Sequence, residues 1–458
     1  MDSEKIYKNS SEESAETISV GMISLGCAKN RVDSEIMLGL LRGSDYKITA
    51  DPSLADVIVI NTCGFIESAK QEAIDTILEM AEYKTTGKCK KLIVTGCLSE
   101  RYAKEIEEAL PEVDAIIGIG GYDRICEAIE TDSENKYVYT EKNHSIEYLN
   151  SDRILTTPSG SAYLKVAEGC DNRCAYCAIP SIRGPFRSRS LDDILHEAKT
   201  LSESGIKELV IVAQDTTRYG KDLSESGEPM LGVLLRKLNE IENIRWIRLL
   251  YLYPDEITED VFSALKECEK VLPYIDLPLQ HVSDSVLSRM NRRGSGTLIR
   301  DIIKRFRSQL PGCVIRTSLI TGFPGETEDD HKELAAFLEE MQLDRVGIFT
   351  YSKEHGTEAY KMKPQIKKSI KEKRYDELMS IQRVISQRKN TERIGKIYDV
   401  LVEDIADDGL FYIGRSYAEA PEEDGNIYFT ANDEISIGDI VKVRILIAED
   451  YDLTGEQV

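Results

Sequence analysis

Three thiols fall within eight residues of this chain, in GCDNRCAYC, at Cys170, Cys174 and Cys177. The spacing C-x3-C-x2-C lets one short loop wrap three corners of a metal cluster. A closed zinc site takes four ligands, and neither a His nor a fourth Cys follows locally. Three thiolates on a four-iron cluster leave one iron open to a small molecule. The competing readings are a zinc knuckle completed by a distant ligand, or free buried cysteines. The chain has ten Cys and only five His, so any cluster here is held mainly by thiolates. A disulfide framework belongs to small secreted domains, not to a chain like this one.

Three further cysteines share a different placement. Cys27 follows an apolar run in ISLGC, Cys63 follows another in VINTCGF, and Cys97 a third in VTGC. If the runs are parallel strands, all three thiols lie at carboxyl ends on one edge of a sheet, where ligands bind. The neighbouring Gly26, Gly64 and Gly96 would let the backbone crowd around a bulky group. Those positions predict a second cluster site. Cys89, Cys126, Cys268 and Cys313 share no such pattern and read as small hydrophobes.

The elements that must position these thiols are α/β. Apolar runs at 18–25, 57–60, 92–95 and 115–119 alternate with helical patterns at 32–41, 67–83 and 100–110. That rhythm predicts a parallel-sheet βα domain over 18–140. The stretch 131–160 is polar and reads as a linker. A second series supplies candidate strands at 163–167, 208–213, 246–252, 274–277, 314–320 and 345–351. Six strands predict a partial (βα)6 barrel over 156–392, short of a full TIM barrel, with Cys170 just after its first strand. Residues 361–393 form a basic helical stretch. Short β-rich runs at 396–402, 410–414, 427–430 and 440–447 predict a small β-barrel over 393–458.

Apolar residues make up 41% of the 458 and charged residues 30%, the balance of a globular protein. No apolar run approaches the ~20 residues of a membrane span, and Met1–Glu16 lacks the pattern of a signal peptide. A cytoplasmic protein is expected. The net charge of −23 disfavours non-specific nucleic-acid binding.

The loop at Cys170 resembles the radical S-adenosylmethionine (SAM) superfamily. In that superfamily the open iron chelates SAM, and Tyr176 stands where an aromatic residue usually lies near the adenine. TGFPGET, with Gly322, Pro324 and Gly325, resembles the glycine-rich loop placed beside SAM. SLGCAKNRVDSE, NTCGFIESAKQEAIDTI, VTGCLSERY, AEGCDNRCAYCAIPSIRGPFRSR and YIDLPLQHVSDSVLSRMNRRG resemble, in order, the motifs of the methylthiotransferase family. The acidic tail resembles its TRAM domain. CAIPSIRG, LLYLYPDE and YIGRSYAEAPEEDG resemble the branch that modifies a ribosomal protein.

The resemblance implies two 4Fe-4S clusters, one on Cys170, Cys174 and Cys177, and an auxiliary one on Cys27, Cys63 and Cys97. It implies that the first passes an electron to SAM, and that the resulting 5′-deoxyadenosyl radical takes a hydrogen from the β-carbon of an aspartate in ribosomal protein uS12. Sulfur at the second cluster, methylated by another SAM, then joins that carbon. A reducing donor such as flavodoxin or ferredoxin would be needed. The alternatives are a tRNA adenosine methylthiotransferase of the MiaB type and a non-catalytic iron–sulfur protein docked on ribosomes.

Charge bears on that choice. Residues 394–458 hold 16 acidic and 4 basic residues, a balance that repels phosphate and attracts a basic protein. The cluster Glu419, Glu422, Glu423 and Asp424 is expected to recruit it. Arg183, Arg187, Arg189, Arg289, Arg292 and Arg293 are expected in structural or carboxylate-binding roles.

Overall fold

The computed structural model describes residues 17–131, 136–140 and 145–458. Residues 1–16, on which the absence of a signal peptide was argued, lie outside the described residues, as do parts of the polar stretch after 131. No helix of the described residues is long and apolar enough to cross a membrane.

The first sheet contains β1 (Ser19–Ser24), β2 (Lys47–Thr49), β3 (Val57–Thr62), β4 (Lys91–Gly96), β5 (Ala115–Ile117) and β6 (Tyr137–Tyr139). All neighbours are parallel, in the order β2-β1-β3-β4-β5-β6. β3 and β4 are buried at every residue, as strands covered on both faces must be. β2 and β6 lie at the two edges and were not foreseen; three residues are too few to show a period. β6 falls inside the expected linker. The strand order reverses between β1 and β3, and a crevice opens at their carboxyl ends.

The second sheet follows from β7 (Ser161–Lys165). A two-stranded ribbon of β8 (Ala167–Glu168) and β9 (Arg187–Ser188) precedes β10 (Glu208–Val212), β11 (Trp246–Leu249), β12 (Val271–Asp276), β13 (Val314–Thr321) and β14 (Arg345–Thr350). The six main strands are all parallel, in the order β14-β13-β12-β11-β10-β7, which is the expected open barrel. Side chains alternate along each strand. Ala162, Leu164, Leu209, Ile211, Ile247 and Leu249 pack on the surrounding helices. Tyr163, Val210, Val212, Trp246 and Tyr274 instead join residues of the first domain and of the tail, Leu401, Ala418 and Ala420, in a second cluster. The barrel interior is therefore filled by all three parts of the chain.

The tail is a closed barrel of β15 (Ile397–Ile405), β16 (Tyr412–Arg415), β17 (Ile427–Thr430), β18 (Ile440–Ala448) and β19 (Leu453–Gln457). The sequence LTGEQ of β19 carries no apolar alternation, so this fifth strand was missed. The basic stretch contains the long helix Lys368–Thr391, and several of its cations serve internal acids: Arg374 bonds Glu326 at 2.9 Å and Lys389 bonds Asp344 at 2.7 Å.

Of the four tail carboxylates expected to recruit a partner, Glu419 is corrected by the structure, and the other three are engaged in pairs of their own. Glu419 is 1% exposed and pairs with Arg345 at 2.9 Å and with Arg393. Glu422 pairs with Arg31 at 2.7 Å, Glu423 with Arg316, and Asp424 accepts from Tyr274 Oη at 2.6 Å. Glu419 and Asp424 dock the tail against the barrel, whereas Glu422, paired with the first domain, and Glu423 keep an exposed side. Below them, buried Glu208 takes Arg248 at 2.8 Å and Arg415 at 2.7 Å.

Burial alone would raise the Glu419 carboxyl, but Arg393 and Arg345 overcome it and hold its pKa at about 2. Its contribution is therefore complete above the ordinary carboxylate range and is lost as pH falls toward 2. Glu419→Ala strands two buried guanidinium groups and is expected to cost about 3–5 kcal/mol. Urea unfolding at neutral pH measures this, and a loss below about 1 kcal/mol would refute it.

Candidate active site

Each of the first three thiols ends a strand or opens the helix that follows it. Cys27 caps the helix Ala28–Gly43, Cys63 follows β3 directly, and Cys97 begins the helix Cys97–Ala109 after β4. The glycines beside them fix how closely the turns approach. A Cβ on Gly26 would lie 2.7 Å from Cys63 Cβ and 3.2 Å from its Sγ. A Cβ on Gly64 would lie 2.7 Å from Leu98 Cα and 3.1 Å from Cys97 C. The first turn is thus seated on the second and the second on the third, so the three thiol-bearing turns converge as the strand order requires.

Asn30 ties them together. Its Nδ2 donates to Leu25 O at 3.0 Å and Thr62 O at 2.9 Å, and its Oδ1 lies 3.7 Å from Cys97 Sγ. Asn61 Oδ1, Thr95 Oγ1 and Ser99 Oγ flank these cysteines and are buried without a hydrogen-bond partner. Desolvation opposes ionisation of Cys27, but Lys29, Arg183 and nearby N–H groups outweigh it and pull the thiol below its usual range. Cys97 is pushed up to about 12 by burial, with Cys63 and Cys27 adding repulsion.

In the second triad, a turn closes from Cys177 N to Cys174 O at 3.0 Å, and Ile179 N donates to Cys177 Sγ at 3.4 Å. Arg292 Nη1 lies 3.7 Å from Cys174 Sγ and 3.4 Å from Tyr176 Oη, with its guanidinium over the Tyr253 ring at 4.3 Å. Burial raises Cys170 to about 11 and raises Cys177 further, with repulsion from the neighbouring thiols added in each case.

All six cysteines are free thiols. Neighbouring thiols that repel one another on ionisation are stabilised as thiolates by a bound cation, and both triads fit a bound iron–sulfur group on that ground. Among the described residues no three Cys, His, Asp or Glu side chains are gathered tightly enough for one metal ion.

A buried ionic network separates and joins the two triads. Arg183, 1% exposed, donates to Glu168 Oε2 at 2.7 Å, to Asp33 Oδ2 at 3.2 Å, to Asn30 Oδ1 at 2.6 Å and to Cys97 Sγ at 3.5 Å. Lys165 bonds Asp33 Oδ1 at 2.6 Å and also pairs with Glu168. The other Glu168 oxygen accepts from Gln214 Nε2 at 2.7 Å and from Gly169 N at 3.0 Å, next to Cys170. Arg183 is thus structural, as expected. Arg187 and Arg189 also turn inward, to Arg183 O and to Glu197. Glu168, Lys165 and Asp33 were missed, because nothing in their local pattern marks a charge as buried.

The residues singled out near SAM are only partly gathered. Tyr176 packs with Ala175 and Phe323 in one apolar cluster, so the cysteine loop and TGFPGET do meet. The meeting is made by Phe323. Gly322 lies against Lys371 and Gly325 against Arg289, close enough that a Cβ would clash. Pro324 is buried between them. Glu326 accepts from Gly322 N at 2.5 Å and Phe323 N at 3.0 Å and fixes this turn.

Residues 394–458 match the TRAM domain, residues 164–338 the Radical SAM superfamily, and residues 19–118 the Uncharacterized protein family UPF0004. Among solved structures, radical S-adenosylmethionine methyltransferase TsrM from Kitasatospora setae, with tryptophan substrate and a SAM analogue bound, has a similar fold. Its TM-score is 0.53 over 73% of each chain, at 12% identity. A partial barrel with an open-spaced cysteine loop after its first strand is the architecture of the radical SAM class. Ribosomal protein uS12 methylthiotransferase RimO of Acetivibrio thermocellus is 53% identical over 447 residues, covering 96% of this chain and 98% of the relative. RimO of Clostridium botulinum is 49% identical over 442 residues, covering 96% and 98%. The chain belongs to this family of radical SAM methylthiotransferases.

Proposed function

We infer that this protein adds a methylthio group to the β-carbon of an aspartate in ribosomal protein uS12. The observation that carries the reading is the pair of thiol triads after strands of two different sheets, linked by one buried ionic network through Arg183 and Glu168, in a chain about half identical to uS12 methylthiotransferases along nearly its whole length. Cys170, Cys174 and Cys177 would hold a 4Fe-4S cluster with one open iron, and Cys27, Cys63 and Cys97 a second 4Fe-4S cluster. When bound, these clusters and SAM supply the electron and the radical that an unactivated C–H bond demands, since no side-chain base removes such a hydrogen.

The chain's own residues orient and exclude. Glu168 braces the backbone at Gly169, so the cysteine loop cannot drift from β7. Arg183 carries positive charge to Cys97 and ties the first domain to the barrel. Tyr176, Gly322, Pro324 and Gly325 are proposed beside SAM. The three units are proposed as 18–140, 156–392 and 393–458, acting in the cytoplasm with flavodoxin or ferredoxin as donor. The tail still supports a basic protein substrate over tRNA: Asp404, Asp407, Asp408, Asp433 and Glu434 are exposed on it.

Incubation of the anaerobically reconstituted protein with uS12, SAM and a reductant tests the reading. Mass spectrometry is expected to find methylthio addition on one aspartate. Modification of a tRNA adenosine, with uS12 unchanged, would overturn it.

A further inference from the structure

Resting on the function proposed above, we propose that Lys29, seated on the ring of Tyr251, is the group that receives the carboxylate of the target aspartate and so selects it. Lys29 is 7% exposed, yet among the described residues it forms no salt bridge. Its ammonium lies 3.4 Å from the centroid of the Tyr251 ring, a contact that holds a cation in place without neutralising it. Buried cations are ordinarily paired with an anion. One left on an aromatic face is poised for an anion that arrives from outside.

The backbone at this point is held in an unusual conformation. Tyr251 has φ +64°, a left-handed geometry that a bulky side chain rarely adopts. Asp276 Oδ2 fixes it by accepting from Tyr251 N at 2.8 Å, and Tyr251 O accepts from Thr216 N at 3.0 Å. The turn presents two tyrosines to two different sites. Tyr251 meets Lys29, two residues beyond Cys27. Tyr253 meets Arg292 and lies 3.8 Å from Cys174 Sγ. An aspartate carboxylate on Lys29 therefore sits beside one triad, on a segment whose other end touches the second.

Besides the Cys27 thiol, which the proposed cluster would engage, a competing anion comes from the tail. Glu423 is close enough to feel the Lys29 charge, but its carboxylate is taken by Arg316. Lys29 remains available to the substrate. The carboxyl carbon of an aspartate is bonded to its β-carbon, so a clamp on the carboxylate also orients the carbon that reacts. A tRNA adenosine offers no carboxylate, and the same cation would give it nothing comparable.

The test uses the reconstituted full-length enzyme, anaerobically, with uS12 and with uS12 carrying Asn in place of the target Asp. Dissociation constants are measured for both proteins. The native enzyme is expected to prefer the Asp form by about tenfold or more, the worth of one charge-assisted hydrogen bond. Lys29→Met should lower that preference to within about twofold, by weakening the Asp form and sparing the Asn form. A merely structural Lys29 would weaken both forms alike, and an undiminished preference, or equal loss for both, overturns the proposal. If Lys29→Met loses iron, Lys29→Gln decides, because an amide keeps a polar side chain against the ring but carries no charge for a carboxylate. Its preference should fall several-fold, and an unchanged one overturns the proposal. Failure of the native enzyme to modify uS12 at all would instead overturn the function on which this rests.

Discussion

Reconstituted protein is expected to bind roughly eight iron atoms as the two proposed four-iron clusters, and replacing Cys170, Cys174 and Cys177 together by Ala to remove about half of them. Reductive cleavage of SAM should fall below detection. The size of the effect follows from the proposal that each thiol would supply one corner, and no other Cys of the barrel lies in that loop. The fold should survive, because the loop is held by backbone contacts that do not need sulfur. Cys170 N bonds Gly184 O at 3.1 Å and Ala175 N bonds Met290 O at 2.8 Å. Iron analysis and a SAM-cleavage assay check this together. Unchanged iron would remove the assignment of the loop.

The second large effect separates the two triads. Cys27, Cys63 and Cys97 replaced together by Ala should also halve the iron and should abolish the methylthio product. SAM cleavage should remain measurable, since the triad belongs to a different sheet from the cysteine loop. Mass spectrometry of uS12 and quantification of cleaved SAM distinguish the two activities. Retained methylthio addition would make these cysteines structural. The loss should not be attributed to unfolding: Cys27 is exposed, and the turns are held by Asn30 and the close glycine contacts.

The sites were legible in the sequence to different depths, for physical reasons. Cys170, Cys174 and Cys177 could be read from spacing, because a single loop carries them. Cys27, Cys63 and Cys97 could be read from strand ends, because parallel strands bring their carboxyl ends to one edge whatever lies between them. Asp33, Asn30 and Glu35 gave no such signal. In a helical pattern such residues read as a solvated face, yet Asn30 is 1% exposed and Asp33 and Glu35 are fully buried, Glu35 bonding Arg153 at 2.8 Å. The helix Ala28–Gly43 buries a polar face because its partner across the interface is ionic. Glu419 was misread for the same reason: a carboxylate counted as surface charge is buried against Arg345 and Arg393.

By itself the sequence determined what period and spacing can carry: two parallel α/β sheets, a small β-barrel after them, three cysteines in one loop and three more at strand ends. Local hydrogen bonding and the hydrophobic period act within a few residues, so they are written in the chain. Only the tertiary structure decided which charges are buried and with whom. It set Arg183 between the triads, closed the tail acids onto the barrel, and left Lys29 on the Tyr251 ring without a carboxylate partner among the described residues. Those pairings join residues far apart in sequence, and the cost of burying a charge is met only when its distant partner arrives.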